Sequence, residues 1–368
     1  MSELARLVLT TGGTGGHIFP ALAVAEEARK RWPGLDILFI GGSFGPEGRL
    51  AQAAGLSFAG LPVRGVLGRG LKSLAALWSL ARGVITARGL LVRFKPQVVA
   101  GFGGYAGFCP VLAAKILGLP TAIHEQNSVP GLTNRILAKG ADLVMVSFDD
   151  ERGSFPPGKV VRTGNPVRAA IRSLRDIAPA PLAGRAPRLL VLGGSQGAMA
   201  VNTAVITALS EFKAAGLAIR HQTGQADLER VRTAYRAAVL PEAQVTPFID
   251  EMAVAYGWAD LVVGRAGATT IAEITAAGKP SVLIPFPHAT HDHQTVNADF
   301  LARRRAALLL TETSVNELGL ARVVLDLLAD PARLAEMGAA AGELGRPEAA
   351  EQVVDHLARL AERRHGRG

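Results

Sequence analysis

The chain reads as an α/β protein made of two Rossmann-like halves, on three observations. Short apolar runs alternate with longer segments of 3.6-residue periodicity, the pattern of βαβ units and parallel sheets. Several of those runs end in glycine-rich turns that open a helical pattern. The chain also repeats itself: "LTTGGTGG" at 9–16 aligns with "LVLGGSQG" at 190–197. Gly12 falls on Gly193, Gly13 on Gly194, Thr14 on Ser195 and Gly16 on Gly197, at an offset of 193 − 12 = 181. A repeat of about half the chain predicts two similar domains facing each other across a cleft, and 368 residues at about 150 per domain agree with two.

The first half offers strands at 6–11 (RLVLTT), 36–41 (DILFIG), 98–102 (VVAGF), 121–125 (TAIHE) and 143–147 (LVMVS). The second offers 188–194 (RLLVLGG), 218–224 (AIRHQTG), 244–249 (QVTPFI), 261–267 (LVVGRAG) and 281–286 (SVLIPF). A Pro-, Gly- and Arg-rich linker at 162–188 separates the sets, and Pro347 precedes a final amphipathic helix able to return to the first domain. The expected domains are therefore 1–165, joined by the helix 347–368, and 166–346.

Hydrophobic residues at 49% and charged residues at 19% permit a large core and argue against wholesale disorder. The net charge of +9 suits nucleic acid, an anionic membrane or a phosphorylated substrate. Aromatics at 5% argue against base-stacking platforms, and so against nucleic acid. The single cysteine, Cys109, excludes an internal disulfide and reads as a buried thiol in the apolar "GYAGFCPVLAA". The N-terminal stretch lacks a signal-peptide pattern, and no apolar run of ~18 residues occurs, so any membrane contact is expected to be peripheral.

The turn at 12–16 aims backbone N–H groups at a helix N-terminus, which is either a packing device or an anion site. It departs from the GxGxxG fingerprint, although Asp36 follows at a plausible distance, so a nicotinamide dehydrogenase is disfavoured. His17 follows the glycines, either bonded locally or acting as a general base. "GFGGYAGF" (101–108) and "HEQNSVPGLTN" (124–134) leave other strands at the ligand-binding edge of the first sheet. His124, Glu125, Gln126 and Asn127 together exceed what structure alone requires.

"GRAGATTIAEITAAGKP" (264–280) repeats the turn form in the second half. Its helix begins near Thr269 or Thr270; Thr269 is either an N-cap or a diphosphate contact, and Glu273 either its capping partner or a ribose contact. His288, His291, Asp292 and His293 lie close in sequence, but no HExxH or cysteine partner occurs, and a ligand-contacting loop is the better reading than a metal site. At 68–93, Leu71, Leu74, Trp78, Ala81 and Ile85 form a stripe with Lys72, Arg82 and Arg93 opposite. That stripe either packs on the core or, with Arg64, Arg69 and Arg88 nearby, meets an anionic membrane.

Taken in order from residue 6 to about 350, "GGTGGHIFPALAVA", "GFGGYAGF", "HEQNSVPGLTN", "GNPVR", "GGSQGA", "FIDEMAVAYGWADLVVGRAGATTIAEI" and "HQTVNA" strongly resemble the bacterial peptidoglycan glycosyltransferase family that forms lipid II. The resemblance implies a GT-B fold and inverting, metal-independent transfer of N-acetylglucosamine from UDP-GlcNAc, with no cofactor. The acceptor would be the C4 hydroxyl of the undecaprenyl-diphosphate-linked muramoyl sugar, lipid I, at the cytoplasmic face of the inner membrane. Donor contacts carried over by position are Thr14, Gly15, Gly16, Asn127, Arg168, Ser195, Ile249, Ala268, Thr269, Thr270, Ile271, Ala272, Glu273 and Gln294. The family often has two adjacent glutamines at 293–294, and here the first is His293. Gly103, Gly104 and Tyr105 fall on the acceptor side. His17 is the first choice of base and Glu125 the second. The alternative is a UDP-GlcNAc 2-epimerase of the same architecture.

Overall fold

The computed structural model describes residues 4–63, 74–150, 153–177, 184–194, 197–240, 244–289 and 292–365, without the side chains of 74–77 and 363–365. The chain divides into two compact units, Met1–Ala169 with Pro347–Gly368, and Ala170–Arg346.

The first unit holds β1 (Arg6–Thr10), β2 (Asp36–Gly42), β3 (Ser57–Leu61), β4 (Val98–Gly101), β5 (Thr121–Glu125), β6 (Leu143–Val146) and β7 (Val160–Arg162). They form one sheet in the order β3-β2-β1-β4-β5-β6-β7, and every pairing in it is parallel. Parallel sheets are covered on both faces, so their strands are apolar throughout. Leu7 and Leu9 pack on one face with the helices Gly15–Arg31 and Ala349–His365. Val8 packs on the other with Leu91 and Val111, from the helices Leu74–Phe94 and Gly104–Ile116.

The chain steps outward from β1 to β3, then crosses to β4 on the other side of β1. The helices after β1 and β4 therefore leave for opposite faces of the sheet, which makes the switch point where such folds bind ligands. The last helix completes this unit: Val353, Val354, Leu357 and Ala361 are buried in its core, and Asp355 pairs with Arg31. Residues 166–169 also lie in this unit, where 166 was expected to open the second. They are tied there by Arg168, whose guanidinium sits 4.6 Å over the Phe19 ring, and by Ala169 N, which donates to Glu26 Oε2.

The second unit holds β8 (Arg188–Leu192), β9 (Ala218–Gln222), β10 (Gln244–Thr246), β11 (Leu261–Gly264), β12 (Ser281–Leu283) and β13 (Leu308–Leu309). Its order, β10-β9-β8-β11-β12-β13, repeats the first six positions of the other sheet, with the switch point between β8 and β11. Leu189, Val191, Phe212, Ile219, Val263 and Val324 form its core.

Three strands lack a counterpart in the apolar runs: β3, β7 and β13. Each is a sheet edge, and most of their residues are only partly buried. Conversely, all five expected strands of the second unit end early, at Leu192, Gln222, Thr246, Gly264 and Leu283. The residues beyond them form the loops of the site.

The helix Leu74–Phe94 turns its stripe outward rather than onto the core. It buries Gly83, Ala87 and Leu91; an added Cβ at Gly83 would stand 2.8 Å from Cys109 Sγ. Trp78, Ile85 and Val92 face outward, at 73%, 72% and 50% exposure. Ala81 and Arg82 are exposed as well, so the arginine lies alongside the apolar stripe rather than opposite it. Arg64, Arg69, Leu71 and Lys72 lie outside the described residues. Among the described residues no helix is long and apolar enough to cross a membrane.

Candidate active site

In the first unit the glycine turn runs from β1 into the helix Gly15–Arg31. Thr14 takes the N-cap position in extended backbone (φ −106°, ψ 161°), its side chain makes no cap, and the first turn carries no acid. No side chain of the helix's own first turn compensates its positive end, a setting for an oxygen-rich ligand. The turn packs backbone to backbone against the turn after β4. Gly12 N donates to Gly103 O at 3.1 Å, and a Cβ on Gly104 would stand 2.0 Å from Gly12 O. Only glycine fits there, and φ of +91° at Gly103 and +78° at Gly104 says the same. Gly13 N donates to Glu47 Oε1 at 2.8 Å. Glu47 is 1% exposed, and the glycines of "GGSFGPEG" make its room: a Cβ on Gly45 would stand 2.0 Å from Glu47 Oε2.

His17 lies against these turns. A Cβ on Gly103 would come within 3.1 Å of both its Cε1 and Nδ1. Its Nδ1 meets Gln126 Oε1 at 2.9 Å. The turns after β1, β4 and β5 therefore bring together His17, Gly103 and Gln126. Thr14, Gly16, Gly104 and Tyr105 are partly exposed around them, and Gly15 is buried.

The four polar residues after β5 divide their work. Glu125, the second candidate base, is 2% exposed and spends both oxygens on its own loop. Oε1 accepts from Asn127 N and Nδ2 at 3.0 and 3.3 Å; Oε2 accepts from Gly131 N and Asn134 Nδ2 at 3.1 and 2.8 Å. It braces the loop that presents Asn127. His124 is fully buried, its Nε2 on Gly164 O at 2.9 Å and its ring stacked on Phe102. Burial pushes its imidazole down to about 4, against the raising pull of Gly164 and with a smaller lowering push from His17.

In the second unit the equivalent turn is held by Gln222. Its Oε1 accepts from Gly194 N at 2.9 Å, and its Nε2 donates to Gly194 O and Pro247 O at 3.0 and 2.9 Å. One amide thus fixes both the glycine turn and the loop leading to Ile249. Ser195 lies outside the described residues, as does His291. The helix Ala268–Ala276 begins one residue before Thr269, with Gly267 as its N-cap, so Thr269 is not the cap. Ala268 and Ile271 are buried, while Thr269, Thr270 and Ala272 are partly exposed. The Glu273 carboxylate is 6% exposed and accepts from Tyr256 Oη at 3.2 Å. Gln294 accepts from Phe286 N at 3.0 Å through Oε1, tying the helix His293–Ala302 to the loop after β12. Among the described residues no three His, Cys, Asp or Glu side chains gather as a metal site.

Glu47 and Gln222 are the residues that sequence reasoning missed. Each braces a glycine at long range, 34 and 28 residues away. The available signal was an acid set among glycines in "GGSFGPEG" and a polar residue closing an apolar strand.

Two family models match the chain: the glycosyltransferase family 28 N-terminal domain at residues 7–146 and the glycosyltransferase family 28 C-terminal domain at 188–353. A UDP-N-acetylglucosamine–N-acetylmuramyl-(pentapeptide) pyrophosphoryl-undecaprenol N-acetylglucosamine transferase from Solidesulfovibrio magneticus is 54% identical over 366 residues, covering 97% of this chain and 98% of that protein. The protein of the same name from Geobacter sulfurreducens is 44% identical over 360 residues, covering 96% and 98%. A crystal structure of MurG from Acinetobacter baumannii matches at 34% identity and a TM-score of 0.74, covering 96% of this chain and 99% of that one. A UDP-N-acetylglucosamine 2-epimerase structure matches at 15% identity and a TM-score of 0.64, covering 95% of each chain; this is a likeness of fold alone and does not favour the epimerase alternative. With two sheets of one topology, two glycine turns and near-full-length relatives at this identity, the chain belongs to glycosyltransferase family 28, with the GT-B fold, among the N-acetylglucosamine transferases that form lipid II.

Proposed function

We propose that the chain transfers N-acetylglucosamine, with inversion and without a required metal, from UDP-GlcNAc to the C4 hydroxyl of lipid I. The observation that supports this most is His17. It stands at the switch point of the first sheet, with one ring nitrogen committed to Gln126. A sugar hydroxyl is a poor nucleophile and must lose its proton as the new bond forms; His17 is the base in this reading. Glu125, bonded on both oxygens within its own loop, serves as a brace.

The departing UDP gains negative charge. The N-terminus of the helix Ala268–Ala276 supplies backbone N–H donors for it. Thr14, Gly15, Gly16, Asn127 and Gln294 serve the transferred sugar, Ile249 the uracil and Glu273 the ribose. Arg168 serves the donor, and Gly103, Gly104 and Tyr105 the acceptor. His17→Ala is expected to lower kcat by about 10²–10⁴ with the donor KM unchanged, in assays that survive EDTA. Near-normal kcat overturns His17 as the base.

The same reading places the protein on the cytoplasmic face of an anionic membrane. Trp78, Ile85 and Val92, with Arg82 beside them, form an exposed apolar and basic stripe, and the net charge is +9. Co-sedimentation with anionic vesicles should exceed that with neutral ones, and a Trp78→Ser/Ile85→Ser variant should lose most of it. Equal binding to both vesicle types overturns the electrostatic part.

A further inference from the structure

The polar contacts behind His17 are more specific than a buried cluster requires. Each has one allowed direction, and the directions can be read from the buried end outward. Gly164 O can only accept, so His124 Nε2 carries the hydrogen that meets it at 2.9 Å. His124 is fully buried with no carboxylate on either ring nitrogen, so it is neutral and its Nδ1 is bare. That bare nitrogen faces Gln126 Nε2 at 3.3 Å, which donates to it and also to Phe102 O at 3.1 Å. The amide is thereby oriented from two sides, and its oxygen is turned toward His17. Gln126 Oε1 can only accept, so His17 Nδ1 carries the hydrogen of the 2.9 Å contact. In neutral His17 the remaining nitrogen, Nε2, then holds a lone pair.

We propose that Gln126, oriented by buried His124 and the Phe102 carbonyl, is a positioning residue that locks His17 in the Nδ1–H form, so that Nε2 is the atom that takes the acceptor proton. The proposal rests on the reading of His17 as the base. The proton leaves the C4 oxygen for Nε2 as that oxygen bonds the anomeric carbon and the bond to UDP breaks, so His17 becomes an imidazolium and UDP carries off the electron pair. Gln126 accepts the Nδ1 hydrogen before and after the step. It is itself 1% exposed, so solvent does not compete for its oxygen. The absence of a side chain at Gly103 leaves the Cε1 edge of the ring uncrowded.

The test is a nitrogen–hydrogen NMR spectrum of the full-length protein with ¹⁵N-labelled histidine, His17 being assigned by its loss in a His17→Gln variant. A protonated Nδ1 and a bare Nε2 are expected in the neutral ring. Gln126→Met keeps the length of the side chain and removes its acceptor; the hydrogen should redistribute toward Nε2, with kcat falling about tenfold or more and the donor KM within twofold. Gln126→Glu keeps an accepting oxygen and should retain more kcat than Gln126→Met. A purely packing role ranks these two the other way, because a buried carboxylate is the more disruptive change. A wild-type spectrum with hydrogen on Nε2 overturns the proposal while leaving His17 as base. Near-normal kcat in His17→Ala overturns the underlying reading instead, whatever the spectrum shows.

Discussion

Gly13 and Gly194 hold the same place in the two halves, and each presents its backbone N–H to a side-chain oxygen, at 2.8 and 2.9 Å. In the first unit that oxygen belongs to the Glu47 carboxylate; in the second it belongs to the Gln222 amide. Both braces come from the chain at or just past the second strand of their sheet, β2 and β9. A carboxylate tightens its hydrogen bond by charge assistance but places negative charge under the turn. The amide holds its turn without adding charge. A glycine turn that receives a diphosphate is served by the neutral brace, and one that receives sugar hydroxyls tolerates the charged one. The two halves thus share a backbone device and differ in the charge set beneath it.

The largest expected effects separate glycines that touch backbone from those that do not. Gly104→Ala and Gly197→Ala would drive a Cβ to 2.0 Å from Gly12 O and 2.6 Å from Thr223 O. Each should cost about 3 kcal/mol or more in urea unfolding. Gly13→Ala and Gly194→Ala meet nothing within 4 Å and carry only the strain of positive φ, about 1–2 kcal/mol. A small loss at Gly104 or Gly197, or a loss at Gly13 or Gly194 as large as theirs, would break the parallel between the two turns.

Exchanging the braces comes next. Gln222→Glu removes the donor to Gly194 O and Pro247 O and sets a carboxylate against both carbonyls. It should raise the donor KM about tenfold or more. Glu47→Gln keeps an accepting oxygen and should cost about 1 kcal/mol of stability with the donor KM unchanged. A larger donor effect from Glu47→Gln than from Gln222→Glu would reverse the assignment of the two turns.

The last effect is one of pH. Each unit buries a histidine on the fourth residue of a strand, His124 in β5 and His221 in β9. His221 is held between Asn202 Oδ1 and Tyr235 Oη, and burial pushes it down to about 3, against a raising pull from Asp227. Unfolding returns both rings toward an ordinary value of 6.5. The unfolded chain therefore binds the protons first, and stability falls as the pH drops. The loss should begin near 6.5 and continue to about 4 for His124 and about 3 for His221. Thermal unfolding at pH 7.5 and pH 5 should show the lower Tm at pH 5, and His221→Gln should flatten part of that slope.

Much of this was legible in the sequence, for a physical reason. Central parallel strands are buried on both faces, so "RLVLT", "TAIHE" and "RLLVL" stand out as short apolar runs bounded by turns. Edge strands such as "VVR" and "LL" bury little and leave no such mark. The glycine turns were legible because only glycine tolerates the backbone approach they make. What lay beyond reading was direction and partnership. Gln126 stood out as polar, yet nothing local says that its oxygen faces a histidine 109 positions earlier. The stripe on Leu74–Phe94 had the right residues but did not say which way it faced, because it is the small-residue face of Gly83 and Ala87 that lies close to Cys109.

The return of the final helix has a consequence for how the protein is made. The second unit is continuous in the chain, from 170 to 346, and every one of its strands has left the ribosome before the helix Ala349–His365 is translated. The first unit is synthesised earlier, but the apolar surface that Val353, Leu357 and Ala361 cover stays open until translation reaches them. At about 5–20 residues per second the nascent first unit waits many seconds for its last piece. The part of the protein made first is the part finished last, and in that interval its unclosed face is the one most in need of a chaperone.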